Sequence, residues 1–449
     1  MLRRIDPVEP EHIYTQVCCV ETTVLSAHTA NLARILFPLV STNAGKDTVT
    51  TTDQTSPTGL VNFALLLAAN AILGSAMPMM IILGALAGLL LAPTPGLATL
   101  PASVSTLAGL VAAAPFSLFM GRFGRQAGFV AGAAVAAAGG AAAVAGVLQA
   151  SFPLLLVGHF ALGAALACFQ FFRFAAAEVV PDRWKPVAIS LMLTSGLLAA
   201  FAGPEVFTRT KDMLAPIPFA GAYGAISVLC GMGILPLLFL RGLGRAPRME
   251  ETASAPAVNV IAVLRRPMVA VAVATAAVSQ GVMVLLMVPT PIAMVGCGFT
   301  EADAGDVVRW HVVAMFAPSF VTGFLIKRFG ATAIVMTGLA LLAGSAVIAA
   351  SGITLPHFYS AMIVLGVGWN FGFVGATSLL ADALAPHERA AVQGLNDTAI
   401  ALCASVCAFA SGALVVGAGW TILALGALPI VGAMALTVLW IKRMPTGAA

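Results

Sequence analysis

Long apolar runs restrict the fold of this chain more than any other feature of its sequence. From Leu60 onward, long stretches that are almost free of charge alternate with short segments that carry charge or proline. Crossing a bilayer takes a helix of roughly 20 apolar residues. The sequence therefore predicts twelve membrane-spanning helices. Their predicted positions are residues 60–92, 98–120, 127–149, 153–178, 187–210, 218–241, 267–296, 307–327, 330–351, 356–384, 390–417 and 420–441.

The composition excludes a soluble globular protein. Of the 449 residues, 60% are hydrophobic and only 9% are charged, whereas soluble domains carry about 25% charged residues. The apolar runs do not alternate with a period of two, so a transmembrane barrel is excluded as well. We predict an all-α integral membrane protein that functions as a monomer. The net charge of +4 is too small to indicate a nucleic acid partner, and we expect lipid and a small-molecule substrate instead.

Basic residues predict how the helices are oriented. If both termini lie in the cytoplasm, the inner loops and the C-terminal tail carry fourteen Lys and Arg residues, and the outer loops carry three, Arg209, Lys211 and Arg309. Membrane proteins concentrate Lys and Arg on the cytoplasmic side. We therefore predict a multi-pass protein of the bacterial inner membrane with both termini cytoplasmic. The inner set is Arg122, Arg125, Arg183, Lys185, Arg241, Arg245, Arg248, Arg265, Arg266, Lys327, Arg328, Arg389, Lys442 and Arg443.

The polar segments predict five regions. Residues 1–58 lack a long apolar run, which predicts a disordered cytoplasmic tail. Residues 242–266 are charged and rich in proline and alanine, as a linker between domains would be. On either side of that linker, residues 59–241 and 267–443 each hold six predicted helices, and residues 444–449 form a short C-terminal tail.

Two loop pairs indicate an internal repeat. Gly121–Gly124 reads Gly-Arg-Phe-Gly, and Lys327–Gly330 reads Lys-Arg-Phe-Gly 206 positions later. Glu178–Lys185 and Asp382–Arg389 each place an acid seven residues before a base, at an offset of 204. Nearly equal offsets in independent loops predict parallel repeats related by an axis along the membrane normal.

The first of these loops carries a family resemblance. Ser117–Gln126 resembles the signature G-x-x-x-D-R-x-G-R-R of the major facilitator superfamily (MFS), with Arg122, Gly124 and Arg125 at matching positions. The first glycine is replaced by Ser117 and the aspartate by Gly121. The resemblance implies the MFS fold, in which two pseudo-symmetric six-helix bundles enclose a central cavity lined by helices 1, 4, 7 and 10.

A second resemblance concerns the substrate. The antiporter signature in helix 5 of this family ends in G-P-x-x-G-G, and Gly203–Thr208 keeps the Gly-Pro but lacks the glycine pair. This counts against a multidrug efflux antiporter, which stays open as an alternative. Phe172–Glu178 and Gly368–Gly375 together resemble a bacterial branch of the family, for which riboflavin-type vitamin uptake is one function left open.

Arg173 is the least expected residue in the apolar segments. A charge at the centre of a bilayer costs about 2.5–3.5 kcal/mol on insertion scales, so intramembrane ions generally face a polar cavity or a partner. His159, Gly163, Gln170 and Arg173 follow helical spacing and share one face. The resemblance implies which helices line the cavity, and the polar and aromatic residues near the middle of those helices are predicted to bind substrate. We expect the substrate to be a carbonyl-bearing, phosphate-bearing or anionic compound. The predicted binding residues are Asn70, Gln170, Arg173, Gln280, Trp369 and Asn370.

Each of these residues also has a structural alternative. Arg173 could pair with Glu178, although five residues is poor helical spacing. The three amides Asn70, Gln280 and Asn370 could bond between helices, as polar residues commonly do in membranes. Trp369 could be a packing aromatic.

Three residues are predicted candidates for proton coupling: Glu205, Asp397 and His311. The sequence has no G-x-x-x-x-G-K-[ST] phosphate-binding loop, so a gradient must supply the energy, and we expect a proton gradient. As alternatives, Glu205 could merely pair with Arg209, Lys211 or Arg309, and Asp397 could bond the turn between helices 10 and 11.

Further charged residues are predicted to form a cytoplasmic gate and its structural support. They are Arg122, Gly124, Arg125, Glu178, Arg183, Lys185, Arg328, Asp382, Glu388 and Arg389.

The sequence also weighs against other function classes. It contains no H-E-x-x-H, no G-x-S-x-G and no metal-ligand spacing of its seven cysteines, so we predict neither an enzyme nor a metal or cofactor site. A channel would need charged rings or carbonyl filters. We predict a secondary active transporter that moves a small organic solute by alternating access. A sensor-like homologue that binds without transporting stays open as an alternative.

Overall fold

A computed structural model describes residues 57–181, 184–242, 259–385 and 387–443, all within one compact unit. These residues form α helices and one short 3-10 turn, and the described part of the chain contains no strand. The helices before residue 242 are α1 (Pro57–Gly74), α2 (Ala76–Leu91), α3 (Leu100–Phe123), α4 (Arg125–Leu148), α5 (Phe152–Phe169), α6 (Phe172–Glu178), α7 (Lys185–Thr210) and α8 (Ala220–Leu238). The later helices are α9 (Val260–Leu264), α10 (Pro267–Met287), α11 (Thr290–Gly296), α12 (Glu301–Phe316), α13 (Ser319–Phe329), α14 (Ala331–Ser351), α15 (Leu355–Ala383), α16 (Arg389–Gly417) and α17 (Trp420–Lys442).

The helices confirm the predicted all-α membrane class. Among the described residues, eleven helical spans are long and apolar enough to cross a membrane. The predicted fifth span corresponds to α7, a helix of 26 residues that is not one of those eleven. It carries charge at both ends, in Lys185 and in Glu205 and Arg209.

The predicted boundary regions agree with the structure only in part. The predicted tail and linker both overlap helices, because α1 begins at Pro57 and α9 lies within residues 242–266. The Asn259 side chain caps α9 by accepting a hydrogen bond from the Ala262 N–H at 3.1 Å. The predicted tails at residues 1–56 and 444–449 lie outside the described residues.

Four of the predicted continuous spans are broken in two. Pro289 separates α10 from α11, and Pro318 separates α12 from α13, because proline has no N–H and interrupts the helical ladder. The first span breaks at Ser75, whose hydroxyl donates to the Ala71 carbonyl at 2.9 Å. This kind of back-bonding often bends a helix. The fourth span breaks at Gln170 and Phe171, where α6 begins immediately before Arg173.

The repeated loops have the same geometry in both halves. Gly124 and Gly330 follow α3 and α13 with φ values of 93° and 84°, a backbone region that favours glycine. The Arg122 guanidinium lies 5.4 Å from the Phe123 ring, and Arg328 lies 5.3 Å from Phe329. This agreement at an offset of 206 supports the parallel repeat. We refer to residues 57–242 and 259–443 as the N-terminal and C-terminal halves.

Two helix pairs make the most extensive contacts between these halves. Helix α3 packs against α16, and α7 packs against α12. Within the N-terminal half, α5 packs closely on α3, since a Cβ added at Gly163 would lie 2.1 Å from the Ser105 carbonyl oxygen. Within the C-terminal half, a Cβ at Gly338 would lie 2.3 Å from the Gly372 nitrogen, so α14 and α15 are similarly close. Small residues allow such close helix approach in membrane proteins.

Candidate functional site

The Arg173 guanidinium has no acceptor within the described part of the chain. It lies in the first turn of α6, directly after the helix break, and its carbon is 4.8 Å from the centre of the Phe174 ring. Its Nε atom is buried without a hydrogen-bond partner. Glu178, the structural alternative, instead accepts two hydrogen bonds from Arg125, one of them from Nε at 2.6 Å. The pairing of Arg173 with Glu178 is therefore not formed.

Asp397 is the acidic residue that interacts with Arg173. Its carboxylate, on α16 of the other half, interacts electrostatically with the Arg173 guanidinium. Among the described residues the two groups are more than 4.0 Å apart, and Asp397 is exposed. Asn396 places its Nδ2 3.5 Å from the Asp397 carboxylate, while its own Oδ1 is buried without a donor. A basic group on one half thus lies within electrostatic range of an acidic group on the other.

Trp369 and Gln280 are brought together by the structure. The Trp369 indole N–H donates to Gln280 Oε1 at 2.7 Å, which joins α15 to α10. The indole stacks on Phe373 at 5.0 Å between ring centres and meets Phe316 edge-on at 6.2 Å. A Cβ at Gly196 of α7 would lie 4.0 Å from the Phe316 ring. This aromatic cluster of Phe316, Trp369 and Phe373 therefore reaches the interface between the halves.

Asn70 lies on the other side of that interface and bonds between helices. Its amide donates to the Met192 carbonyl at 3.1 Å and to the Ser195 hydroxyl at 2.6 Å. Ser195 is the neighbour of Gly196, which faces the Phe316 ring. Asn70 therefore forms the interhelical bond given above as its alternative, and it also supports the α7 surface next to the aromatic cluster.

Asn370 and Gln170 occupy opposite environments. Asn370 is 1% exposed, and its amide donates to the Met315 carbonyl at 2.8 Å and to the Ser319 hydroxyl at 2.6 Å. It also accepts from the Thr322 hydroxyl at 2.7 Å, so α15 holds the broken span α12–α13. These contacts match the interhelical alternative for Asn370. Gln170 is exposed at the break before α6.

Ion pairs join the two halves at the end of the molecule where α7 finishes and α12 begins. We call this the opposite end, because it lies across the molecule from the arginine-rich end described below. Lys211 Nζ lies 2.9 Å from Glu301 of the C-terminal half and 2.6 Å from Asp212. Hydrogen bonds to Asp212 and Glu301 raise the pKa of Lys211 above its usual range. Sequence spacing alone does not reveal a pair between residues on different halves.

Glu205 belongs to a second charged group at the opposite end. Its carboxylate accepts from Arg209 Nε at 2.7 Å and lies 3.4 Å from Nη2 of Arg309 on α12. These are the pairings given above as the alternative to proton coupling. Asp306, which the sequence reading missed, accepts from Arg309 at 2.7 Å and from the Tyr359 hydroxyl at 2.6 Å. The Asp306–Arg309 spacing of three residues on one helix was the available signal.

At the other end, which we call the arginine-rich end, two ion pairs each join residues of one half. Arg125 binds Glu178 within the N-terminal half. Arg266 donates to Glu388 at 2.7 and 2.9 Å within the C-terminal half, and Glu388 also accepts from the Ala385 N–H at 3.0 Å. Hydrogen bonds from Arg266 and from the Ala385 N–H lower the pKa of the Glu388 carboxyl, and the bond to Glu388 raises the pKa of Arg266.

The other predicted gate residues that the structure describes lie at this arginine-rich end. Lys185, Asp382 and Arg389 are exposed. Arg183 lies outside the described residues.

Two buried histidines differ in their hydrogen bonding. His159 Nδ1 is 3.0 Å from the Ser105 hydroxyl and its Nε2 is 2.7 Å from the Tyr223 hydroxyl, which links α3, α5 and α8. His311 bonds through Nδ1 to the Met362 carbonyl at 2.8 Å, while its Nε2 is buried without a partner. Ser105 and Tyr223 could not be assigned from sequence, because nothing local distinguishes them from other hydroxyl residues of the same helices, such as Ser103 and Ser227.

Known proteins resemble this chain over most of its length. It is 39% identical over 391 residues to the riboflavin transporter RfnT of Brucella anthropi, a match that covers 86% of this chain and 97% of that protein. It is 30% identical over 365 residues to YddS of Bacillus subtilis, an uncharacterized MFS-type transporter, covering 77% and 83% of the two chains. This chain belongs to the major facilitator superfamily. No family model matches the sequence.

Solved structures show the same MFS fold at low sequence identity. The nucleoside transporter NupG aligns with a TM-score of 0.61 at 14% identity, covering 87% of this chain and all of that one. An auto-inhibited peptide transporter of the POT family aligns with a TM-score of 0.62 at 11% identity, covering 86% and 97%. The chain is thus a multi-pass MFS transporter, as the Ser117–Gln126 loop predicted.

Within this MFS fold, the first and seventh spans close the opposite end. All of α2 from Ala76 to Gly88 is buried except Met77. The chain from Gly281 to Pro291 is buried as well, and α2 packs against both α11 and α12. Contacts between the halves are therefore continuous at the opposite end.

Proposed function

We propose that this MFS transporter carries riboflavin, or a closely related flavin, into the bacterial cytoplasm across the inner membrane. The proposal rests on the similarity to RfnT, which extends over 97% of that protein and 86% of this chain. A match of this extent must include most of both halves. Alternating access driven by a proton gradient is the mechanism that we propose for it.

The aromatic cluster suits a flavin ring. Riboflavin combines a planar aromatic ring system, carbonyl oxygens along one edge and a polyhydroxylated side chain. Trp369, Phe316 and Phe373 supply aromatic surface at the interface between the halves, and stacked or edge-on aromatic contacts contribute about 0.5–1.5 kcal/mol each beyond area burial. Gln280 fixes the indole and adds an amide that can also bond a ligand.

Arg173 suits the carbonyl edge of such a ligand. A buried guanidinium donor without an acceptor costs free energy, and a carbonyl oxygen of the substrate would relieve this cost. Asp397 lies within electrostatic range of Arg173, and we propose that its carboxylate offsets the positive charge of the guanidinium. This favours a neutral, carbonyl-bearing substrate over the anionic one that Arg173 alone suggested.

The contacts between the halves at the opposite end support a proposal about the conformational state of this structure. We propose that the arginine-rich end faces the cytoplasm, in accord with the distribution of Lys and Arg. The opposite end then faces the periplasm. With that end closed by contacts between the halves, the structure represents the inward-facing state of the transport cycle, with substrate released toward the arginine-rich end.

Uptake of radiolabelled riboflavin into proteoliposomes tests the proposal. Wild-type protein is expected to take up riboflavin, and Arg173→Ala to lose at least about tenfold in uptake, which corresponds to about 1.4 kcal/mol. Arg443→Ala serves as the matched control, because Arg443 is exposed directly after α17 and is not among the predicted gate residues. It should retain uptake.

Riboflavin binding provides a second measurement. A ligand that binds the folded state raises its melting temperature in proportion to the logarithm of its concentration. We expect such a rise for wild type and Arg443→Ala, and a reduced rise for Arg173→Ala. If wild type neither binds nor takes up riboflavin, the proposed substrate is wrong. Export of dyes in the same vesicles would instead support the efflux alternative.

A further inference from the structure

The His311 side chain connects α12, which carries it, to α15. It is fully buried on α12, and its Nδ1 donates to the Met362 carbonyl of α15 at 2.8 Å. A carbonyl oxygen only accepts, so the hydrogen must be on Nδ1. In the neutral ring, Nε2 is then an acceptor, and it is buried without a donor. A buried polar atom in this position generally signals a function or a bound group that the closed state lacks.

The backbone around His311 leaves little space for another partner. A Cβ at Gly366 of α15 would lie 2.7 Å from the His311 carbonyl oxygen and 2.9 Å from the Ala314 Cβ. Helices α12 and α15 are therefore in direct backbone contact beside the ring. A protonated imidazole has two N–H donors and needs two acceptors. The closed state offers it only the Met362 carbonyl.

The charged groups near His311 already have partners. On α12 itself, Asp306 binds both Arg309 and Tyr359 of α15. On α7, Glu205 binds Arg209 and lies within ion-pair distance of Arg309. The sequences of α2 and α11 contain no titratable residue. The remaining titratable group near this end of α15 is His357, which bonds with Thr354.

We propose that His311 binds the coupling proton at Nε2, and that this protonation favours opening of the opposite end. A second N–H on the ring lacks an acceptor in the closed state. When α12 separates from its neighbours, water or the carboxylate of Asp306 or Glu205 can supply that acceptor. A ligand shifts an equilibrium toward the state that binds it better. Protons on the opposite side therefore drive that side open. When the end closes again the ring loses its second acceptor, and the proton leaves toward the arginine-rich side, so that each cycle carries it across the membrane. This inference rests on the proposed proton-driven uptake.

A distance measurement tests the inference without any substrate. Spin labels at Cys297 and at Met213→Cys report the separation of the halves at the opposite end, because both residues are exposed there and lie on different halves. The six other cysteines are replaced by alanine. In nanodiscs, lowering the pH from about 8 to about 5, across the range in which an unperturbed imidazole titrates, should increase the long-distance population of wild type several-fold.

The His311→Asn variant separates proton binding from packing. Asparagine keeps an N–H donor for the Met362 carbonyl but cannot take up a proton. We expect its distance distribution to stay closed at both pH values. His357→Asn is the matched control, a histidine at the same end whose ring bonds to Thr354, and it should respond as wild type does. An equal pH response in wild type and His311→Asn, or no response in either, would overturn the inference.

Transport separates this inference from the proposed function. With an inward proton gradient, wild type and His357→Asn should accumulate riboflavin above equilibrium, and His311→Asn should only equilibrate it while still exchanging it across the membrane. Gradient-driven accumulation by His311→Asn would overturn the assignment. If riboflavin is not transported by any variant but the labels still respond to pH through His311, the substrate is wrong and the proton site stands.

Discussion

The two ends of the molecule use ion pairs differently. At the opposite end, Lys211 and Glu301 join one half to the other, and Glu205 approaches Arg309 in the same way. At the arginine-rich end, Arg125 with Glu178 and Arg266 with Glu388 each tie together segments of a single half. In the alternating-access cycle proposed above, the first kind of pair must break when the halves separate, whereas the second kind can persist. Pairs of the first kind would therefore stabilise one conformation of the transporter, and pairs of the second kind would stabilise the fold of one half.

Cross-linking each kind of pair should give the largest contrast. We expect a bifunctional thiol reagent to abolish riboflavin uptake by the Lys211→Cys/Glu301→Cys variant, because the link fixes the halves together at the opposite end. The same reagent on Arg266→Cys/Glu388→Cys should leave most of the uptake, since that link stays within one half. The measurement is uptake before and after cross-linking in a background without other cysteines. Loss of uptake in both variants would remove the distinction between the ends.

Charge reversal at the opposite end should have a smaller effect. Glu301→Lys places two like charges together beside Lys211, which disfavours the closed state. Ala85 of α2 is fully buried against Ile292 of the C-terminal half, so we expect an increase of a few-fold in the modification rate of Ala85→Cys by a membrane-impermeant maleimide. The swapped variant Lys211→Glu/Glu301→Lys should restore the wild-type rate. Failure of the swap to restore it would show that the pair itself does not hold the end closed.

The two ends should also respond to opposite extremes of pH. Because the pKa of Glu388 is lowered in the folded protein, its contribution to stability is complete above the pKa of an unfolded glutamate, about 4.3, and is lost as pH falls through the lower folded value. Because the pKa of Lys211 is raised, its contribution is complete below about 10.4 and is lost as pH rises through the higher folded value. Melting temperatures of Glu388→Gln and Lys211→Gln, compared with wild type across pH, check both signs. The difference in melting temperature between Glu388→Gln and wild type should disappear at acid pH, and the difference between Lys211→Gln and wild type should disappear at alkaline pH.

Salt should produce the smallest effect. Lys211 and Glu301 are partly exposed, at 18% and 35% of their side-chain areas, and such pairs contribute about 0–1 kcal/mol and are screened by salt. Raising the salt concentration should therefore increase modification of the buried reporter Ala85→Cys less than twofold, and Glu301→Gln should abolish even that change. A salt response that is the same in Glu301→Gln would have to come from other charges.

The helices, the repeat and the family could be predicted because they depend on local patterns. The apolar runs follow from bilayer thickness, and the loop around Arg122 recurs around Arg328 with matching backbone geometry. Arg173 was also identifiable, since a charge in an apolar run is costly wherever the helix packs. These features depend on residues that are near one another in the sequence.

Contacts between distant segments could not be predicted in the same way. Arg266 binds Glu388, which is 122 residues away, and nothing local distinguishes that arginine from its neighbour Arg265. Whether Asn370 faces a cavity or a neighbouring helix depends on how α15 packs against the break at Pro318, because its amide binds the Met315 carbonyl and the Ser319 hydroxyl on either side of that break. The alternative given for Glu205 was correct in its partners because those bases were few and lay at the predicted outer loops.

The helix breaks determine where these spans can bend. Ser75 and Pro289 separate α2 and α11, which close the opposite end, from the longer helices α1 and α10. A helix bends most readily where its hydrogen-bond ladder is already interrupted. We therefore expect α2 and α11 to tilt about these breaks as the halves separate, while the deeper packing of each bundle stays in place.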